Sequence, residues 1–459
     1  MTGTSRTAQG PLKSSAREAA LTVLTRVEQD HSYSNLLLNQ TLRSAHFERQ
    51  DAALATELVY GTLQHLSTID YFLGRFIAKG VASLQPWVRN LLRLSFYQLY
   101  YLDKIPPHAA VHEAVNIAKR KGHQGVSGMV NGVLRNVIRQ KEALIIPSDL
   151  PAVQRIALKH AHPEWMVERW VRQFGEAIAE QICEANNTPP HSSIRVNTQK
   201  TSREELLSRW REAGYEAEPS AIAPAGIRVA GGGNLALTDE FRSGLFTVQD
   251  ESSMLVAEVV DPQPGMRVLD CCAAPGGKST HLAEKMKDEG FLAACDIHEH
   301  KEKLIRDQTQ RLGLHAIHPT IADALQLQNV FERATFDRIL LDAPCSGLGV
   351  IRRKPDLKWT KTEAEIATIS DLQRKMIEAV YPLLKPGGIL VYSTCTITQE
   401  ENDDVVDSFL QAHPEFVRDS FPVALSNSLG GKGHDGQAFL LPSDFGSDGF
   451  FIARLRKTQ

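Results

Sequence analysis

Apolar residues in the first third of the chain recur at helical spacing. Leu54, Leu58, Leu63 and Leu66 form one such series, and Val88, Leu92, Phe96 and Leu99 another. The pattern predicts helix after helix from residue 14 to about 165. In "DKIPPHAAVHEAVNIAKRKG" a proline break precedes a helix that ends on Lys119, Arg120 and Lys121, cations that suit the negative end of the helix dipole. The pattern then loosens. Short alternating runs ("SIRVNTQ", "GIRVAGGG", "GLFTVQD") surround one helix, "REELLSRWREAG", for which Ser202 and Glu205 form a candidate capping box. From about residue 255 apolar strands alternate with helices. The runs "MRVLDC", "GFLAACD", "AIHPTIAD", "FDRILLD" and "GGILVYSTC" predict a mostly parallel sheet covered by helices on both faces. The closing "GFFIARLRK" reads as an edge strand. The expected organisation is multidomain: an all-α region over 1–160, a small α+β insert over 161–245 and an α/β domain over 246–459.

Length supports that division, since 459 residues exceed what one core serves. No apolar run reaches the length of a membrane span, and "MTGTSRTAQGPLKSSAREAA" reads as a polar, disordered lead without the apolar core of a signal peptide. The six cysteines include no CxxC pair, which argues against a disulfide framework or a structural zinc and for a reducing cytoplasm. A monomer is expected. Charge is uneven along the chain. Residues 1–165 hold 19 Lys and Arg against 12 Asp and Glu, whereas the remainder holds 32 against 42. A basic module joined to an acidic one fits either a partner that is a polyanion or a solvated helical surface. Arg135 and Arg139, four apart on one helix, add to the first reading as phosphate contacts.

Ligands of open α/β sheets bind beyond the carboxyl ends of the strands. Those ends carry Asp270, Asp296, Asp323, Asp342 and Cys395. Four carboxylates on successive strands repel one another, so fold stability is a poor reason for them. The first strand runs into "DCCAAPGGKSTHL", where Gly276 and Gly277 let backbone approach a ligand before a helix starts. This is not a GxGxxG fingerprint. Lys278-Ser279 imitates the end of a phosphate-binding loop, but Ala273 stands where that loop needs glycine. A glycine turn, a carboxylate for ribose hydroxyls (Asp296) and one for a base edge (Asp323) describe a nucleoside cofactor without a pyrophosphate, and S-adenosylmethionine fits.

Cys183, Cys271, Cys272 and Cys295 read as core residues. Cys345 and Cys395 differ, because both fall in polar turns just past a strand at the ligand edge. A thiolate beside a methyl donor suggests chemistry at carbon 5 of cytosine. Thiolate addition at carbon 6 makes carbon 5 nucleophilic, and a base later removes the carbon 5 proton so that the sulfur can leave. Asp342 is placed to hold the pyrimidine edge. The residues alone do not choose between the two cysteines.

The motifs "DCCAAPGGKS", "DAPCSGLG" and "YSTCT", flanked by "SIRVNT" and "SDGFFIARL", resemble those of the NOL1/NOP2/Sun family of RNA cytosine-5 methyltransferases. The basic front resembles a NusB-type RNA-binding domain. The resemblance implies a NusB-like helical domain, an RRM-like insert and a Rossmann-like class I methyltransferase domain acting on small-subunit ribosomal RNA. It implies a pocket for S-adenosylmethionine formed by Cys272, Ala273, Ala274, Pro275, Gly276, Gly277 and Lys278 with Asp296, Asp323 and Asp342. It further implies that Cys395 is the nucleophile and that Cys345 assists product release. The alternative is a NusB-like RNA-binding assembly factor whose methyltransferase domain is a scaffold.

Overall fold

The structure is a computed structural model that describes residues 15–30, 32–45, 47–231 and 233–458. The polar lead expected at the N-terminus lies outside the described residues up to position 14, and helix α1 has begun by Ala16. The chain forms two compact units, one of residues up to 187 together with 354–360, the other of the rest.

The first unit is helical. It contains α1 (Ala16–Asp30), α2 (Ser34–Ala45), α3 (Arg49–Gln64), α4 (Leu66–Leu73), α5 (Pro86–Tyr101), α6 (Pro107–Lys121), α7 (Gln124–Arg139), α8 (Ala152–Lys159), α9 (Glu164–Phe174) and α10 (Glu176–Asn187). Proline at the first position of α5 and of α6 costs no hydrogen bond, because that N–H has no intrahelical acceptor. The predicted apolar faces do meet in one core, which includes Leu58, Leu63, Val88, Leu92, Phe96 and Leu99. Segment 354–360 also belongs to this unit. There Lys358 is buried and donates to the carbonyls of Gln64 (3.0 Å) and Ala161 (3.1 Å) and to Asn187 Oδ1 (2.6 Å), and burial pulls its ammonium down to about 7.

The second unit starts with a four-stranded antiparallel sheet in the order β2-β3-β1-β4, built from β1 (Ser192–Val196), β2 (Glu216–Pro219), β3 (Gly226–Ala230) and β4 (Phe246–Val248). Helices α11 (Arg203–Glu212) and α12 (Asp239–Arg242) complete a βαββαβ unit. Half of the expected capping box forms. The Ser202 hydroxyl accepts from Glu205 N, but the Glu205 carboxylate takes the Thr201 hydroxyl (2.9 Å) instead of the Ser202 backbone. Strand β2, "EAEP", carries one buried residue, Ala217, too little alternation to be read in advance.

The large sheet follows α13 (Glu251–Val260). Its parallel strands are β5 (Arg267–Asp270), β6 (Phe291–Asp296), β7 (Ile317–Ile321), β8 (Phe336–Asp342) and β9 (Leu384–Thr394). Three short strands come next: β10 (Phe416–Arg418), β11 (Gly433–His434) and β12 (Gln437–Leu440). The last is β13 (Phe450–Lys457). The order is β11-β12-β13-β9-β8-β5-β6-β7, with β10 on β13. Helices α14 (Gly277–Lys285), α15 (Glu299–Leu312), α17 (Glu363–Val380), α18 (Asp403–Ala412) and α19 (Val423–Ser428) belong to this unit, whereas α16 (Leu357–Thr360) lies in segment 354–360. One expectation is corrected. β13 is not an edge strand: it pairs with β9 along one side and with β12 and β10 along the other, and its first six residues are buried. Full burial of "FFIARL" is what an interior position demands, and the arginine within it, Arg454, is absorbed by Asp419 at 2.6 Å.

Candidate active site

Strand order creates the site. From β5 the chain moves outward through β6 and β7, then returns to the other side of β5 as β8 and β9. The crevice between β5 and β8 is therefore the switch point where ligands of such sheets bind. It receives the turn after β5 and the ends of β8 and β9.

The turn Cys271–Gly276 feeds directly into α14. Gly276 has φ +105°, open to glycine at little cost, and a Cβ there would approach Ile305 Cα at 3.3 Å. A Cβ on Gly277 would meet nothing within 4 Å, so the start of α14 faces open space. The peptide between Ala274 and Pro275 is cis. Beneath the turn Asp270 is buried. One of its oxygens accepts from the Ser279 hydroxyl (2.6 Å), while Oδ1 is buried with no well-formed hydrogen bond among the described residues. Burial first, with the nearby Asp342 charge, lifts its carboxyl to about 7.

Lys278 does more than close the turn. Its ammonium donates to Asp342 Oδ2 at 2.8 Å and lies 5.4 Å from the centre of the Phe450 ring. Burial opposes its charge most, yet Asp342, with smaller help from Cys395 and Asp270, outweighs it and the net shift is upward. The register of β8 on β9 sets Asp342 opposite Ser393, whose hydroxyl donates to Asp342 Oδ1 at 2.8 Å.

The two turns beyond these partners carry the cysteines. Cys345 Sγ and Cys395 Sγ stand 3.4 Å apart. Gly349 N donates to the Cys395 carbonyl (3.0 Å), and Gly449 N to the Gly349 carbonyl (2.8 Å). A Cβ on Gly349 would lie 2.1 Å from the Gly449 oxygen, so only glycine lets these backbones meet. The hydrogen bond to Cys395, and then burial, pushes the Cys345 thiol well above its usual range. The pair therefore resists losing both protons. Cys183, Cys271 and Cys295 are buried, as expected of core thiols, and burial raises each of them.

Asp296 ends β6, accepts from His298 N at 3.0 Å and is largely buried. Asp323 lies two residues past β7, where its carboxylate caps the following helical turn through Leu325 N at 2.9 Å. Beside them Ile297 and Ile321 leave 56% and 53% of their surfaces exposed. Two carboxylates flanked by bare aliphatic side chains, an open glycine turn and the orphaned Asp270 oxygen fit a nucleoside-bearing cofactor such as S-adenosylmethionine.

A second surface lies wholly in the helical unit. A groove of about 880 Å³ between α6 and α7 is lined by Lys119, Arg135, His108, His112 and Asn131, with Val115 among the apolar residues. The described residues lining it include no carboxylate.

The sheet order, the glycine turn and the acidic strand ends define a Rossmann-like methyltransferase domain. The family model described as 16S rRNA methyltransferase RsmB/F matches residues 257–456, that of the NusB family matches 14–139, and a ferredoxin-like domain of RsmF/B-like methyltransferases matches 162–236. The probable ribosomal RNA small subunit methyltransferase B of Bacillus subtilis (strain 168) is 46% identical over 97% of this chain and 99% of its own length. The corresponding protein of Synechocystis sp. is 36% identical over 96% and 99%. The crystal structure of PH0851 superimposes with a TM-score of 0.82 at 29% identity, covering 98% of this chain and all of that one. The chain belongs to the ribosomal RNA small subunit methyltransferase B family.

Residue by residue, Asp342, Lys278 and both cysteines converge, while Asp296 and Asp323 stand apart from them along the β6–β7 edge. Ser393, Phe450, Glu401 and Arg195 were not singled out from sequence. Arg195 of "SIRVNT" donates to Glu284, Thr280, Gln249 and the Gly277 carbonyl, and so braces α14 from its first residue to its last turn. Only the unusual placement of an arginine inside an apolar strand hinted at it.

Proposed function

We propose that this chain methylates carbon 5 of a cytosine in small-subunit ribosomal RNA through a transient covalent bond between Cys395 and the base. The observation that carries this reading is the pair of thiols 3.4 Å apart at the switch point, beyond the ends of the strands that bear Asp342 and Ser393. Transfer to nitrogen or oxygen needs no thiol. S-adenosylmethionine, when bound, supplies an electrophilic methyl group. Residues Cys272 to Lys278, with Asp296, Asp323 and Asp342, would hold it.

Cys395 attacks carbon 6 as thiolate and converts the ring to an enamine-like nucleophile. Asp342 accepts from the amine edge of the base and Lys278, kept cationic by Asp342, adds a donor beside it. After transfer the carbon 5 proton leaves to a base and sulfur departs. Cys345, held as a thiol, assists that departure. The target base must leave its stack to reach such a crevice, and the basic groove of the helical unit binds flanking phosphates. The reading is tested with labelled cofactor and unmodified small-subunit RNA. Cys395→Ala is expected to abolish methyl transfer while cofactor binding persists. Cys345→Ala is expected to accumulate a protein–RNA adduct that survives a denaturing gel. An adduct with Cys395→Ala instead would reverse the two roles. Absence of methyl transfer by the parent protein under conditions where it binds RNA would favour the scaffold reading.

A further inference from the structure

A buried carboxylate outside the mechanism joins the two cysteine turns. Glu401 is wholly buried, and among the described residues every partner of its side chain is neutral. Oε2 accepts from Ser346 N (2.7 Å) and Gln373 Nε2 (3.2 Å). Oε1 accepts from the hydroxyls of Ser346 (2.5 Å) and Thr398 (2.7 Å), with Thr396 at 3.4 Å. Ser346 follows Cys345 directly and Thr396 follows Cys395. Their hydroxyls also meet each other at 2.8 Å. Gln373 reaches past the carboxylate to the Pro344 carbonyl (2.9 Å), and Asn402, the next residue, donates to the Thr396 carbonyl (3.0 Å). A carboxylate buried without a cation is costly. A buried carboxylate needs hydrogen bonds to offset its desolvation, and here four of the five come from the two cysteine turns.

We infer that Glu401 is a positioning residue that keeps the Cys345 and Cys395 turns in register. The inference deepens the proposed reaction, because bond formation at carbon 6 and its later release need both sulfurs at one base. A carboxylate suits this site because it accepts at both oxygens. A glutamine keeps one oxygen for Ser346 N and Gln373, while its amide faces hydroxyls that can turn to accept. Alanine removes all five bonds.

The test has two arms on the full chain. In the first, which uses neither RNA nor cofactor, the thiol oxidant diamide links Cys345 to Cys395 and peptide mass spectrometry follows the link. Glu401→Ala is expected to slow linking about 10-fold, since reaction depends steeply on approach geometry, and Glu401→Gln to stay within about 3-fold of the parent. In the second, Glu401→Ala is expected to lower kcat about 100-fold with KM for the RNA little changed, and Glu401→Gln to recover most of the loss. A protein with Glu401→Ala that links and turns over like the parent would overturn the inference. So would Glu401→Gln being as slow as Glu401→Ala, since charge and not the hydrogen bonds would then be the agent. If Glu401→Ala does not fold, Thr398→Ala with Glu401→Gln decides: Thr398→Ala must slow linking measurably. Failure of Cys345→Ala to form an adduct, with the linking arm as expected, would sink the cytosine reading and leave the role of Glu401 standing.

Discussion

Two of the ion pairs that tie helix α14 to its surroundings differ in kind. Arg195 and Glu284 meet at 2.9 Å with side chains 0% and 2% exposed, and Thr280, Gln249 and the Gly277 carbonyl take the remaining guanidinium donors. Lys278 and Asp342 meet at 2.8 Å but stay 18% and 24% exposed. Among the described contacts the ammonium donates to Asp342 alone. The first pair has spent its hydrogen-bonding capacity on protein, so it can only hold the helix in place. The second retains donors and acceptors at an open crevice, which is what a ligand requires. Burial even lifts the Glu284 carboxyl above its usual range despite Arg195, whereas Lys278 is driven the charged way by its partner.

The contrast breaks most readily at Arg195. Arg195→Ala leaves Glu284 buried and unpaired and is expected to cost about 3–5 kcal/mol of stability in denaturant titration. Loss of activity without loss of stability would show that both pairs serve the ligand. Lys278→Met is the converse. We expect kcat/KM to fall by roughly 10²–10³ through lost charge stabilisation, with stability changed by no more than about 1 kcal/mol. Unfolding of this variant would erase the distinction.

Asp270, below both pairs, sharpens it through pH. Its carboxyl is raised to about 7 in the fold. The stability it contributes is therefore complete at acid pH below the unfolded value and is lost as pH rises through the folded value. Between about pH 4 and 7 the parent should lose about 1 kcal/mol per pH unit from this group, and Asp270→Asn should remove that slope in thermal or denaturant scans. The smallest effect is expected in the helical unit. Lys119→Ala with Arg135→Ala should weaken RNA binding about 10-fold and lower its salt dependence by one to two counterions, with the methyl-transfer step on bound RNA unchanged. An unchanged salt slope would return those residues to the bland role of a solvated helix face.

Much of the fold was legible because period and composition change with the architecture. Val88, Leu92, Phe96 and Leu99 needed only their spacing to announce a helix face, and "FDRILLD" needed only its continuous apolar run. The ends of those runs announced Asp296, Asp342 and Cys395 as edge residues. The closing strand misled because "GFFIARLRK" carries arginine and lysine as an edge strand does; Asp419, far along the chain, neutralises Arg454 and lets the strand sit inside. Glu401 was invisible for a related reason. In "TQEEN" it looks like any solvated acid, and its donors, Ser346, Thr396, Thr398 and Gln373, lie on three separate segments.

By itself the sequence determined which groups are candidates: a glycine turn after one strand, carboxylates at strand ends and cysteines just past two of them. These are local facts, set by residue type and spacing. Which of those residues work together was decided only by the tertiary structure. Strand order puts β8 beside β5, the register sets Asp342 against Ser393, and the meeting of Gly349 with Gly449 lets two turns bring their sulfurs to 3.4 Å. The physical reason is that hydrogen-bond and ion-pair energies depend on angstrom-scale distances between groups that no spacing along the chain encodes.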